Sequence, residues 1–417
     1  MSGITKSLSL HAQFWVWVSV ILTPILAIAG GLGFQLAGFL MGLAGIFIWA
    51  TDRSRADYLK TSWPITLLAF VTWAWASTLW SPHDGPFFGG NASLLFGLVI
   101  ALLFVPLIFL RLSARAKQIL AWAVIAMGLS GVLILLIDSA SGFALSLWGD
   151  PVDVGQARAG RLGQAEMNVG RGQISYAQML WPVAALLITQ IKRGWIWAVL
   201  GILGLALSAY LNNLSIVTVT LTLASCVAVL AWRKPRAGLI LAAILAVSSI
   251  IFAPLIGMIA SGIDPAAMRE LPLSWEHRLR MWAYSWDMIQ QAPLIGHGFD
   301  SSRAFNELSF KAPDGRDIIV MSLHPHNIGL QIWLETGLVG VILWVSFIVA
   351  LMKKLLKTCV YSAQAFATAG LIVATASNGA ATIGAWQHWW WALIVFAASL
   401  ICLLPHKLSS TAIPTKI

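Results

Sequence analysis

Charge is scarce in this sequence. Asp, Glu, Lys and Arg make up 10% of its 417 residues, where a soluble domain carries about 25%. That shortage excludes a water-soluble globule of this length. Cysteine is scarce too: Cys226, Cys359 and Cys402 sit in apolar blocks or beside a basic cluster, and the long polar segments hold none. No disulfide framework and no zinc site is expected. Walker-type and Rossmann glycine fingerprints are missing, and no carboxylates stand at metal-ligand spacing. The chain is therefore expected to work without a metal or a cofactor.

What is present is apolar. Hydrophobic residues make up 59% of the chain, in blocks such as 14–29, 94–110 and 339–352, each near the ~20 residues that cross ~30 Å of hydrocarbon. Helices are predicted at about 12–29, 32–50, 63–80, 93–110, 118–137, 173–191, 195–211, 214–232, 237–260, 328–352, 363–383 and 387–404. The first block is too long for a signal-peptide core and runs almost directly into the second, which predicts an uncleaved helix. The expected fold is an all-α polytopic membrane protein of about twelve transmembrane helices. Helices one to nine occupy 1–260, with an external loop at about 138–172. A large external loop spans 261–327 and carries an amphipathic helix, and the last three helices and the C-terminus fill 328–417.

The formal charge of +10 is not that of a nucleic-acid reader, which gathers its cations on one surface. Basic residues cluster in alternate loops, at Arg53/Arg55/Lys60, Arg111/Arg115/Lys117, Lys192/Arg193, Arg233/Lys234/Arg236 and Lys353/Lys354/Lys357. This is the positive-inside pattern. With the N-terminus in the cytoplasm, cytoplasmic segments hold seventeen Lys/Arg and two acids, Asp52 and Asp57, while external segments hold nine and fourteen. Both termini are then cytoplasmic. Cytoplasmic loops are about a dozen residues or fewer, too short for a nucleotide-binding domain. The external cations are Arg158, Arg161, Arg171, Arg269, Arg278, Arg280, Arg303, Lys311 and Arg316. Any one of them could simply balance a nearby acid. The preference for arginine across the set, whose planar fork suits phosphate and carboxylate, points to an external anionic ligand.

Three segments stand out. The first is 272–293, an amphipathic helix with Ser274 as N-cap, Glu276 in the first turn and Pro293 as its stop. Leu279, Trp282, Trp286 and Ile289 form its apolar stripe. Arg278 lies at the edge of the stripe and is the better ligand candidate, while Arg280 stands four residues after Glu276, where an exposed ion pair is the plain expectation. The second is His324-Pro-His326-Asn327 before the tenth helix. Asn327 is a natural N-cap, and the helix dipole keeps His326 neutral and fit to act as a base. Pro325 is expected to turn the two imidazoles in different directions. Asn327, Gln331 and Glu335 follow at i, i+4 and i+8, a polar stripe of the kind that faces a bundle interior or a wet cavity. A histidine bonded to backbone at the helix start is the equal alternative for His326. The third segment is Asn168-Val-Gly-Arg171, where Arg171, Ser175 and Gln178 share a face; the alternatives are a cavity-lining group and a snorkelling arginine. Trp386 and Trp389–Trp391 read as an interfacial aromatic belt, with His388 among them.

Together these elements resemble the O-antigen ligase/polymerase superfamily of bacterial membrane glycosyltransferases. Arg278-Leu-Arg-Met-Trp282 with Ala292-Pro-Leu-Ile-Gly-His-Gly-Phe299 is similar to the family pattern of arginine, tryptophan and a Pro-Leu-x-Gly-x-Gly-x-Phe-like turn. His326-Asn through Glu335-Thr-Gly-Leu-Val-Gly340 looks like its His-Asn…Glu-x-Gly-x-x-Gly signature, and Asn168 to Pro182 resembles its asparagine–arginine element before a Leu-x-Pro helix. One departure concerns the mid-chain Ser-Arg pair that many members carry. The matching place reads Asn212-Asn-Leu-Ser215-Ile216, without the arginine.

The resemblance implies a GT-C-like, metal-independent glycosyltransferase of the bacterial inner membrane with a periplasmic active site. It would move a glycan from undecaprenyl pyrophosphate to a lipid A–core sugar, or, as a polymerase, to another glycan unit. On that activity the residues singled out above are expected to serve as follows: His326 and Arg278 as catalytic residues, and Arg171, Arg280, His324, Asn327, Gln331 and Glu335 as substrate-binding ones. Twelve helices also suit a secondary transporter, but no internal repeat is evident and the external charge collects in one loop. The expected partners are the lipid-linked donor, the glycan acceptor and membrane lipid, with no nucleic acid.

Overall fold

The computed structural model describes residues 2–30, 33–51, 59–84, 90–148, 155–321 and 323–404. The cluster at Arg53 and Arg55, the acids Asp52 and Asp57, and the lysines Lys407 and Lys416 lie outside the described residues. Helices cover all twelve segments read from hydropathy: α1 (Ser2–Ile28), α2 (Phe34–Thr51), α3 (Ser62–Ala76), α4 (Gly90–Arg111), α5 (Ala114–Ala140), α6 (Gly155–Gln190), α7 (Gly194–Leu211), α8 (Ser215–Arg233), α9 (Pro235–Ile251) with α10 (Ala253–Ser261), then, after the long loop, α13 (Ile328–Thr358), α14 (Ser362–Gly379) and α15 (His388–Leu400). Among the described residues α5, α7, α8 and α13 are long and apolar enough to cross a membrane, and α9 with α10 makes a fifth span bent by 47°. Pro254, in the first turn of α10, cannot donate backward and accounts for the bend. Shorter apolar stretches lie in α1, α2, α4 and α15. The chain is a multi-pass membrane protein.

The loop at 261–327 contains α11 (Pro265–Arg269), α12 (Leu273–Gln291) and a small antiparallel hairpin, β1 (Ser309–Lys311) with β2 (Asp317–Ile319), in the register Phe310 opposite Ile318. The hairpin was not expected from the sequence, although Pro313-Asp-Gly315 is a turn signal and Gly315 takes φ +85°. Helix α12 starts at Leu273 with Pro272, not Ser274, at its N-cap. Its buried face is Met281, Trp282, Ser285 and Ile289, laid on α10 and α13. Leu279 and Trp286 are half-buried at the margin of that face.

Two helices differ from expectation. Helix α6 reaches back to Gly155, so Asn168 and Arg171 lie inside it and not at its entrance. Its first half is polar and glycine-rich, with Ala, Arg and Gln between the glycines, so hydropathy passes over it. Helix α13 is broken at Gly337, at φ +63° and ψ −167°, a region open essentially to glycine alone. The Pro-Leu-Ile-Gly-His-Gly turn fills the gap. His297 N–H and Gly298 N–H donate to the carbonyls of Leu334 and Glu335, both at 2.9 Å, while Leu338 N–H and Val339 N–H donate back to Pro293 and Leu294 at 2.9 and 3.1 Å. The Trp73 indole takes the Thr336 carbonyl at 3.0 Å. The freed carbonyls of Leu334, Glu335 and Thr336 and the freed N–H groups of Leu338 and Val339 thus find partners, as hydrocarbon surroundings require. Gly337→Ala would drive a Cβ into Leu294 O and Gly296 N. It is expected to destabilise the protein by at least about 1–3 kcal/mol, read as a lower thermal midpoint in detergent. A variant as stable as the parent would contradict this clamp.

Candidate active site

Three segments meet at one end of the helix bundle: α12, the His324–Asn327 turn and the 380–387 connection between α14 and α15. Arg278 projects from α12, where Nε donates to the Ala381 carbonyl at 2.9 Å and Nη1 to the Ser274 carbonyl at 2.8 Å. Nη2 has no partner among the described residues. The guanidinium carbon lies 5.7 Å from the centre of the Trp275 ring. Burial lowers the pKa of this arginine, because its charged form is short of solvent there.

The next carbonyl along, that of Thr382, lies 2.9 Å from Nδ1 of His326. A carbonyl only accepts, so Nδ1 carries the hydrogen and Nε2 keeps its lone pair, with no partner among the described residues. Burial, with Arg278 and His277 helping, pushes the His326 pKa down to about 4, against the opposing Thr382 bond. The imidazole is therefore neutral at physiological pH. Its backbone sits at φ +51°, a conformation rare for a side-chain-bearing residue. Neighbours hold it there: the Trp282 indole donates to Pro325 O at 2.9 Å, and Asn327 caps α13 by accepting from Leu330 N–H at 3.0 Å. The alternatives weighed for His326 thus coexist, since one nitrogen is tied to backbone and the other is open.

His324 differs. Its Nδ1 accepts from His326 N–H at 3.2 Å, and its Nε2 meets the Gln387 amide at 2.9 Å. Burial first, then His326 and Arg303, lower its pKa well below the usual value. The two rings are neighbours, 4.4 Å apart edge to face, but their polar atoms serve different partners.

The Asn327–Gln331–Glu335 stripe faces the interior, each side chain 1% exposed or less. Gln331 bridges it, accepting from Ala385 N–H at 2.7 Å and donating to Glu335 at 3.0 Å. Glu335 also accepts from Asp300 N–H at 2.7 Å and from Ser302 Oγ and Trp386 Nε1 at 2.5 Å each. Four donors occupy its two oxygens. The carboxylate fastens the 297–303 turn and the 380–387 connection to α13. Arg280 is committed as well: it pairs with Glu276 at 2.7 Å, with side chains 16% and 2% exposed, so the pair is buried and not exposed as expected.

Arg171 stands apart from these groups. Its side chain lies beside Gly30, where a Cβ would come within 3.6 Å of Arg171 Cδ, and it has no hydrogen-bond partner among the described residues. Ser175 bonds back to its carbonyl, and Gln178 accepts from Thr375 Oγ1 at 3.0 Å. From that contact α6 runs seven residues to Arg171, about 10 Å, and α14 four residues to its end at Gly379, about 6 Å, at ~1.5 Å per residue. Arg171 and the Ala381 carbonyl that holds Arg278 both lie beyond that contact, toward one end of the bundle.

The aromatic segment after α14 is not an interfacial belt. Trp386, Trp389 and Trp390 are 6%, 7% and 0% exposed, and His388 is 8% exposed. Trp386 serves Glu335, and Trp391 Nε1 donates to Ala385 O at 2.7 Å. The positioning role of 380–387 was missed from sequence because it acts through carbonyls of Ala381 and Thr382, which leave no side-chain signature.

Residues 177–345 match the family described as O-antigen ligase. This stretch is similar to that family. The matched stretch contains Arg278, His326 and Glu335, while Arg171 and the 380–387 connection lie beyond it. The chain is also similar to provisionally named polysaccharide ligases from Rickettsia felis, 28% identical over 165 residues, and from Rickettsia typhi and Rickettsia prowazekii, each 30% identical over 139 residues. The matches cover 36% of this chain and 40% of the protein for the first relative, and 32% and 34% for the other two. The chain thus spans well under half the length of the curated relatives it matches.

Proposed function

We propose that this protein is an O-antigen ligase-like glycosyltransferase that moves a glycan from undecaprenyl pyrophosphate to an acceptor hydroxyl, a lipid A–core sugar, at the periplasmic face of the bacterial inner membrane. One observation carries the reading: consecutive carbonyls, Ala381 and Thr382, hold a cation with a free edge and a neutral imidazole with a free lone pair. Arg278 takes the pyrophosphate. His326 Nε2 receives the proton of the acceptor hydroxyl while that oxygen bonds to the anomeric carbon. The bond from that carbon to pyrophosphate oxygen breaks, and the pyrophosphate leaves with the electron pair. Arginine hydrogen bonds strengthen as charge develops on the leaving group.

Other features support the same reading. An apolar cavity of about 540 Å³ runs from Ile328, Gly329 and Trp386 beside the site down to Lys354 and Thr358, suited to a lipid chain. Arg171 flanks the place where the family arginine is missing, since a Cβ on Gly170 would lie 3.6 Å from Asn212 Nδ2 and 3.8 Å from Leu214. It approaches the same anion from α6. The charge bias between loops supports an orientation with both termini in the cytoplasm and this site outside.

The reading is tested by restoring lipopolysaccharide ladders in a ligase-null strain. Restoration only in a polymerase-null strain would move the acceptor to another glycan unit, and failure in both would count against the activity. Transfer by purified protein is expected to persist in excess EDTA, because arginines carry the leaving-group charge. Loss on chelation, restored by magnesium or manganese, would refute that.

A further inference from the structure

A second cavity, of about 190 Å³, borders His324. Neither Arg278 nor His326 lines it. Its polar wall comes from Gln35 at the start of α2, from Asp300 and Arg303, and from Gln387 and His388 where the chain enters α15. Trp386 and Trp389 supply apolar surface.

His388 is 8% exposed, yet neither of its ring nitrogens has a partner among the described residues. A neutral imidazole brings one donor and one acceptor, and buried polar groups are almost always satisfied. Gln387 repeats the pattern. The Gln387 amide nitrogen lies 2.9 Å from His324 Nε2, and its Oε1 has no partner among the described residues. Gln35 has no partner among the described residues. Arg303 Nε is bonded to Asp300 at 2.9 Å with its side chain 35% exposed at the mouth, so the one fixed cation in the wall is balanced by an acid.

The wall therefore asks for a neutral ligand with many paired donor–acceptor groups around an apolar face. A sugar ring has that chemistry. The volume is below the ~300 Å³ at which drug-sized pockets begin, which suits one ring and not a chain. We propose that this cavity is a subsite for one neutral pyranose ring of the reacting glycan, hydrogen-bonded by Gln35, Gln387 and His388 and stacked on Trp386 and Trp389. The proposal rests on the glycosyltransferase reading, and its place beside His324, away from Arg278, makes it the ring of the acceptor.

The test uses the full-length protein in lipid nanodiscs with two variants. His388→Leu removes the unsatisfied imidazole, and Gln35→Leu removes a side chain with no internal bond, so it keeps the test open if the first fails to fold. The acceptor KM is expected to rise about tenfold in each, with kcat changed less than about threefold and the donor KM unchanged. A KM shift confined to the donor would keep the sugar subsite but overturn its assignment to the acceptor. Unchanged KM values for both substrates in both variants would overturn the subsite itself. Saturation-transfer NMR with the free acceptor oligosaccharide separates the two readings: binding is expected in the parent and in His326→Ala and lost in His388→Leu and Gln35→Leu. A parent that binds the oligosaccharide but transfers nothing would refute the glycosyltransferase reading and support the subsite, whereas binding retained in both leucine variants would refute the subsite.

Discussion

Arg278→Ala is expected to lower transfer by about 10²–10³-fold, the cost of losing one preorganised donor to developing charge, and to weaken binding of the lipid-linked donor itself. The guanidinium is fixed at Nε by Ala381 and at Nη1 by Ser274, leaving the Nη2 edge to meet the pyrophosphate. Arg278→Lys should recover little, because one ammonium cannot hold both carbonyls and present a fork to phosphate. Arg280 supplies the internal control. Its guanidinium donates to Glu276 at 2.9 and 2.7 Å from Nε and Nη2, so Arg280→Ala strands a buried carboxylate. A buried pair broken on one side costs about 3–5 kcal/mol, and the loss should appear as reduced thermal stability and yield. Specific activity and donor affinity of the folded fraction should stay within a few-fold of the parent. Equal losses of donor affinity in the two alanine variants, measured on folded protein, would remove the distinction between them.

The difference between these arginines was partly legible in the sequence. Spacing from Glu276 marked Arg280 as half of an ion pair, and the edge of the apolar stripe marked Arg278 as the freer cation. Burial of the ion pair was not legible, because it depends on Phe310 of the hairpin, whose ring centre lies 4.7 Å from the Arg280 guanidinium carbon, and on contacts from Pro265. The N-cap at Asn327 and the inward face of Gln331 and Glu335 follow from helical periodicity and were read correctly as local structure. Their partners were not, since Asp300 N–H, Ser302 and Trp386 reach Glu335 across 33 to 51 residues of chain. The same limit hid the break in α13. Gly337 looks like one more glycine in an apolar run until the Pro293–Gly298 turn is laid against it. Helix α6 was cut short for a different reason: its first half is polar, and hydropathy reports membrane depth, not helix length.

His326→Ala is expected to remove most turnover, by about 10²–10⁴-fold or roughly 3–5 kcal/mol of barrier, while leaving donor binding near the parent value. Only its Nε2 among the two histidines' nitrogens is open; His324 uses both of its own, on His326 N–H and on Gln387. His324→Ala should therefore cost less, through a loosened His326 backbone. The pH profile carries the sharper signature. A base works when unprotonated, so activity is retained above its pKa and lost as pH falls through it. In the free enzyme burial and Arg278 hold that pKa down at about 4, and the acid limb of kcat/KM for the donor should fall there, well below the ~6.5 of an ordinary histidine. Bound pyrophosphate offsets Arg278 and favours imidazolium, so the acid limb of kcat should lie at higher pH than that of kcat/KM. The same anion strengthens the base where it is needed, because a pKa nearer the working pH makes proton transfer more effective. Both limbs should vanish in the residual activity of His326→Ala and persist in His324→Ala. A fully active His326→Ala, or a limb near 4 lost in His324→Ala and kept in His326→Ala, would transfer the role of base to the other imidazole.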